Sequence, residues 1–146
     1  MDYSSFCVII ETIRIKKPML FEMSSLYHPT DDDFYTIQQL FSIILPDDYK
    51  DFYKKYCGGY FGFIALFTYD VQDEMYIMNF NSPEMVNEIG FFAVCDMETG
   101  DYIGYKVVDG KCNSELYYYD HESGCISDSN YTDFMDFVLR EGLHYC

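Results

Sequence analysis

The segment LPDDYKDFYKKYCGGYFG, residues 45–62, constrains the fold more than any other part of the chain. Pro46 suits the first position of a helix, where its missing N–H costs nothing, and the two aspartates after it meet the positive end of the helix dipole. Gly58 can supply the left-handed residue that ends a helix. An apolar stripe at helical spacing lies between these signals and is formed by Tyr49, Phe52, Tyr53 and Tyr56. The pattern predicts a helix that buries one aromatic face and passes directly into a strand.

Three segments precede this helix. Residues 3–15 are ambiguous, because their β-branched content favours a strand while their apolar positions also fit one helical face, with Ser4 or Ser5 as the cap. Pro18 ends that segment in either case, and PMLFEMSS is expected to be a short strand. Thr30 and Asp33 have the spacing of a capping box and predict the start of a helix. The apolar positions of that helix are Phe34, Ile37, Phe41 and Ile44.

Strand patterns dominate after residue 59. YFGFIALFTY is expected to be one buried strand, and MYIMNF is a candidate for another. GFFAVC and YIGYKVV flank the turn-forming DMETGD and predict a hairpin, while DGKCNS is a second turn that leads to ELYYYD. SNYTDFMDFVLREGL predicts a closing helix, capped by Asn130 or Thr132, with Phe134, Phe137 and Val138 facing the core and Gly142 at its end.

This order of elements predicts an α+β fold. A mostly antiparallel central sheet is expected, with leading helices and a closing C-terminal helix packed against it. The length of 146 residues is typical of one domain, which we expect to span residues 1–146.

The charge is strongly negative and unevenly distributed. The net charge is −16, yet residues 1–30 contain three acids and three bases, so the other 22 acids and six bases, all in residues 31–146, account for the whole excess. Phosphate groups would be repelled, so neither nucleic acid nor an anionic membrane is expected as a direct partner. Two interpretations remain open, a basic protein partner or a surface that serves solubility alone.

No pattern of catalytic or metal-binding residues is apparent. His121 lies between Asp120 and Glu122 and could act as a base, but no nucleophile is identifiable beside it. Tyr117 and Tyr119 share one face of a strand, which favours packing over the stacking of bases. The six cysteines have no CxxC spacing, and no secretion signal or membrane-length apolar run is present. We therefore expect a cytoplasmic protein with reduced cysteines, no metal, no cofactor and no enzymatic activity.

The motifs described above resemble those of the SUKH superfamily, which contains fungal cell-wall (glucan) synthesis regulators and bacterial toxin-immunity proteins. The first motif is represented by Leu45, Pro46, Asp47, Asp48, Tyr49, Lys50, Phe52, Gly58 and Gly59. GFFAVCDMETGDYIGY, ELYYYDHES and YTDFMDFVL resemble the central hairpin, last strand and closing helix of the family, although the chain lacks the tryptophan that many members carry. The resemblance favours a helix for residues 3–15 and implies a scaffold that presents a binding surface.

The resemblance implies two classes of function. One is a cytoplasmic immunity protein that binds and neutralises a cognate toxin domain, such as a nuclease; the other is a regulatory protein-interaction module of the glucan synthesis type. A nuclease is basic where it holds phosphate, so an acidic surface would attract it. The candidate partner-binding residues lie at turns and strand ends and are Asp96, Glu98, Asp101, Asp120 and Glu122. Of these, Asp101 is the one most expected to have a structural role.

Overall fold

The computed structural model describes residues 1–145 and confirms an α+β fold. The helices are α1 (Tyr3–Lys16), α2 (Asp31–Phe41), α3 (Asp47–Tyr56) and α4 (Phe134–Phe137). The strands are β1 (Gly59–Phe61), β2 (Ile64–Leu66), β3 (Phe91–Asp96), β4 (Tyr102–Val108), β5 (Lys111–Tyr119) and β6 (Ile126–Asp128). A π-helical turn, Val138–Gly142, continues α4, and we call residues 134–142 the closing helix.

The first part of the chain is more helical than its composition indicates. Residues 3–15 belong to α1, which is capped by Asp2 through a 2.7 Å bond from the Ser5 amide, so neither serine is the cap. PMLFEMSS is not a strand, because Pro18–Phe21 forms a 3₁₀ turn and only Ser24 makes a single bridge to β1. The predicted capping box of α2 is present, with reciprocal bonds between Thr30 and Asp33.

Helix α3 buries its aromatic stripe as predicted, but both of its ends are shifted by one residue. Pro46 is the extended cap before the helix, and Cys57, at φ 72°, is the first left-handed residue after it, ahead of Gly58 and Gly59. A Cβ on Gly58 would lie 2.6 Å from the Tyr53 ring. The two glycines are therefore required because the backbone turns tightly against its own helix and enters β1.

The six strands form one antiparallel sheet in chain order, from β1 to β6. The run YFGFIALFTY is not one strand, since the chain reverses at Gly62 and Phe63 and forms the β1–β2 hairpin. MYIMNF is not a strand either: Ile77–Asn79 is a 3₁₀ turn beside a single bridge at Tyr76. The predicted β3–β4 hairpin is confirmed. The turn predicted for DGKCNS, between β4 and β5, is shorter than expected. Strand β6, which pairs with β5, was not predicted.

The core lies between the sheet and the helices and is dominated by aromatic rings. Three of its tyrosines have paired hydroxyls: Tyr49 and Tyr69 are 2.8 Å apart at their hydroxyls, and Tyr53 donates to the Phe67 carbonyl at 2.6 Å. Phe134, Phe137 and Val138 of the closing helix are buried, as predicted. The cap of that helix, however, is Asp133, which accepts from the Asp136 amide. Gly142 lies in its last turn, and Leu143 follows as the capping residue.

Candidate functional site

All five predicted partner-binding acids lie at one end of the sheet. Because consecutive strands run in opposite directions, the turns that follow β1, β3 and β5 project from the same end. Asp96 ends β3, Glu98 and Asp101 lie in the next loop, and Asp120 and Glu122 lie in the loop after β5. We call this region, residues 96–101 with 120–122, the acidic end.

Asp101 ties the two loops of the acidic end together. Its Oδ1 accepts from the backbone amide of His121 at 3.0 Å and lies 2.8 Å from His121 Nδ1. This hydrogen bond raises the pKa of His121 and lowers that of Asp101. The structural role expected of Asp101 is thus visible, although its bond reaches across to the second loop and does not stay within its own turn.

Asp120 is also engaged by its own loop. Its two carboxylate oxygens accept from the Glu122 amide at 2.9 Å and from the Ser123 hydroxyl at 3.0 Å. Asp101, Asp120 and His121 could each offer a ligand atom to a metal, and these atoms lie within 4.8 Å of one another. Both aspartates already accept hydrogen bonds from the loops. The cluster therefore holds the loop geometry.

A groove opens beside the acidic end, between the β1–β2 turn, the end of β3 and the closing helix. Its volume is about 290 Å³. Phe63 provides an exposed apolar wall and buried Ile64 and Phe137 lie at its base, while Asp96, Glu98 and Glu141 bring three carboxylates to it. Glu141 was missed by sequence reasoning. The available signal was its spacing of four residues from Phe137, which places both on one face of a helix.

The β1–β2 turn is fixed against the closing helix. The Gly62 amide donates to the Leu20 carbonyl and the Phe63 amide donates to the Gly142 carbonyl, both at 2.8 Å. Gly62 has φ 61°, and a Cβ there would lie 2.1 Å from the Gly142 oxygen, so no other residue fits without displacement. Phe63 remains 60% exposed, and its ring stacks on His144 at 4.1 Å between centroids. The groove is therefore built by backbone contacts that hold its walls in place.

Comparison with protein families decides the identity of the fold. A family model described as SMI1-KNR4 cell-wall, SUKH_6, matches residues 31–138, which is well over half of the chain. The chain belongs to the SUKH family. Neither the curated proteins nor the solved structures gave a match. The matched region of this SUKH domain begins at α2 and contains both acidic loops, but it stops three residues before Glu141.

The carboxylates of the groove have no basic neighbour among the residues that line it. No lysine, arginine or histidine lies among those lining residues in the described part of the SUKH domain. Glu141 accepts from the Tyr131 hydroxyl at 2.5 Å, whereas its neighbour Arg140 is engaged by Asp136 and by the Asn130 carbonyl. The negative charge of the groove is therefore available to a cation from outside the domain.

The residue of the site whose chemistry could serve catalysis is His121. His121 is exposed and makes its side-chain hydrogen bond to Asp101, which orients the ring as a base would need. Within residues 1–145, however, no serine, threonine or cysteine side chain is hydrogen-bonded to that ring as a nucleophile would be. Membership of the SUKH family supports a non-catalytic domain.

None of the helices described is both long enough and apolar enough to cross a lipid bilayer.

Proposed function

We propose that this SUKH domain is a cytoplasmic immunity protein, which binds a cognate toxin with a basic surface and blocks it. The observation that carries the proposal is the convergence of the five predicted acids on one projecting end of the sheet, in a chain whose residues 31–146 hold its whole net charge of −16. Family membership supports a domain of this non-catalytic kind.

The acidic end is suited to attract a nuclease. The active site of a nuclease is basic because it must hold phosphate, so its field and that of the acidic end are complementary. Complementary fields steer diffusing proteins toward each other and raise the association rate most strongly at low salt. We therefore expect the acidic end to act mainly on the rate of association.

The five acids are expected to contribute differently. Asp101 and Asp120 accept bonds from His121, Glu122 and Ser123 and keep the loops in shape. Glu98 and Glu122 are exposed, with no ion pair within residues 1–145, so their charges can meet a partner. We assign Glu98 and Glu122 to the contact and Asp101 to the positioning of the loops.

The proposal is tested with the toxin that co-purifies with the protein. Reversing Glu98 and Glu122 to lysine should slow association at low salt by about tenfold or more and flatten its salt dependence. Glu84 and Glu88 form a matched control pair, since both are exposed and they precede the opposite end of β3. Their reversal changes the net charge equally but should alter the rate less. An unchanged rate and salt dependence for the Glu98 and Glu122 pair would refute the acidic-end mechanism.

A regulatory interaction module is the second candidate, because the matching family model carries the description cell-wall. Such a module would bind other proteins without neutralising a toxin. The neighbourhood of the gene separates the two, since an adjacent gene for a large secreted toxin would support immunity. Immunity would be supported directly if cells that express the toxin survive only when this protein is also present.

A further inference from the structure

We infer that the groove between the β1–β2 turn, the end of β3 and the closing helix anchors one arginine side chain of the protein partner. The inference rests on the proposed function and specifies it, because it names the chemistry by which a basic partner is held. It also adds Glu141, on the closing helix, to the acids that the turns supply.

The size of the groove selects a single long side chain. Its volume of about 290 Å³ lies at the lower limit of pockets for small molecules, which typically hold about 300–1,000 Å³. Phe63 forms an exposed wall on the β1–β2 hairpin, and Ile64 and Phe137, both buried, lie at the base of the groove. An aromatic wall over an apolar base suits the methylene stem of a long basic residue, whose charged head stays at the polar rim.

The carboxylates favour a guanidinium at the head of that side chain. Asp96, Glu98 and Glu141 approach the groove from two different elements, so a cation there can meet more than one of them. A guanidinium has five donors in a planar fork, and it also stacks on aromatic rings such as the exposed Phe63. An ammonium would lose the bidentate and stacking contacts, which is why the groove fits arginine better than lysine.

The acids of the groove retain the capacity to accept these bonds. Asp96 uses one oxygen for the Glu98 amide at 2.9 Å, and Glu141 accepts from the Tyr131 hydroxyl. An ionised carboxylate has about four lone-pair sites, so each can accept further donors. By contrast, Asp101 and Asp120 bond to the loops and lie outside the apolar walls. Acidic and apolar surfaces thus coincide in the groove.

The groove is also formed before a partner arrives. The bond from the Phe63 amide to the Gly142 carbonyl joins the hairpin to the closing helix, and the Phe63 ring is held against His144. Walls that are already in place lose little conformational entropy on binding. A partner arginine would therefore bind a prepared site, whereas attraction to the acidic loops alone would be diffuse.

The test uses N-acetyl-L-argininamide as a probe and the whole protein, labelled for NMR at its methyl groups. Titration should shift the methyl signals of Ile64 and Met97, and the shifts should saturate at millimolar concentrations of the probe. The matching citrulline amide, which is neutral, should leave them unshifted. The double substitution Glu98→Gln with Glu141→Gln should lower the affinity for the probe about tenfold, since each exposed ion pair accounts for up to about fivefold. The control double substitution Glu84→Gln with Glu88→Gln should change this affinity by less than about twofold.

Each other result overturns the inference. Shifts that spread over the whole acidic end and fall equally in both double variants would indicate diffuse attraction. Equal shifts with the citrulline amide would indicate apolar binding without charge recognition, and no saturation at Ile64 would show that the groove is not a site. A toxin whose affinity is unaffected by Glu98→Gln with Glu141→Gln would show that it does not use the groove. The probe experiment needs no toxin, so its failure would leave the proposed immunity function to the charge-reversal test.

Discussion

Replacing Phe52 with alanine is expected to lower the free energy of unfolding by about 3–5 kcal/mol. Phe52 is fully buried in the centre of the aromatic stripe of α3. Its ring lies 5.1–6.2 Å, between centroids, from five rings that belong to other parts of the core or to its own helix. They are those of Phe6, Tyr53, Tyr56, Phe61 and Phe134. The substitution therefore affects α1, β1 and the closing helix together.

Two contributions make up this expected loss. Deleting the Phe52 ring removes the free energy gained by burying it on folding, which is about 1.5–3 kcal/mol. If the five neighbouring rings do not collapse inward, a cavity on the order of 100 Å³ adds about 2.4 kcal/mol at about 24 cal/mol per Å³. Because domains of this size are commonly stable by only about 5–15 kcal/mol, the variant should be folded but fragile.

The measurement is equilibrium unfolding in urea, followed by circular dichroism. Tyr35→Ala is the matched control, because Tyr35 is an aromatic residue of a neighbouring helix but is 60% exposed. Its loss should stay within about 0.5 kcal/mol. A loss below about 1 kcal/mol for Phe52→Ala would contradict its place at the centre of the core.

Three further predictions concern the loops and the cysteines. Gly62→Ala should destabilise by at least about 1–2 kcal/mol, and an unchanged urea midpoint would contradict the left-handed turn. Asp101→Asn should return the raised pKa of His121 toward 6.5 in an NMR titration; the charged pair stabilises the fold fully below 6.5, and this contribution is lost as pH rises through the raised value. Cys125, which is exposed, should react with thiol reagents faster than buried Cys112, whose pKa burial raises to about 12, and equal rates in peptide mapping would refute this.

Sequence patterns were reliable where local chemistry decides the structure. The capping box at Thr30 and the aromatic stripe around Phe52 depend on residues three or four apart, and both are present. The β1–β2 hairpin was missed because an isolated glycine among apolar residues also fits a continuous strand that contains a bulge. Gly62 reverses the chain there, and its contact with the closing helix is a tertiary feature. Strand β6 was missed for a similar reason, since its three residues are ordered by pairing with β5.

The candidate site was also predictable only where local chemistry decides the position of a residue. Turn residues project from a sheet, so the acids in the turns could be named from sequence, and antiparallel topology brings their loops to one end. Glu141 could not be found in this way, because its place in the groove depends on how the closing helix packs against the β1–β2 turn. The bond from Asp101 to His121 likewise joins loops 20 residues apart.

The chain order of the strands has a consequence for how the protein folds. Each strand pairs with the preceding strand in the sequence. Most of the sheet can therefore form by adding hairpins, whose contacts have a small sequence separation. The exception is the connection between β2 and β3, where 24 residues, 67–90, must close before Leu66 can pair with Cys95. Closing such a segment costs more entropy than closing a tight turn. We therefore expect amides of β3–β5 to gain protection earlier in refolding than those joining β2 to β3, and pulsed hydrogen exchange showing the reverse order would contradict this sequence of events.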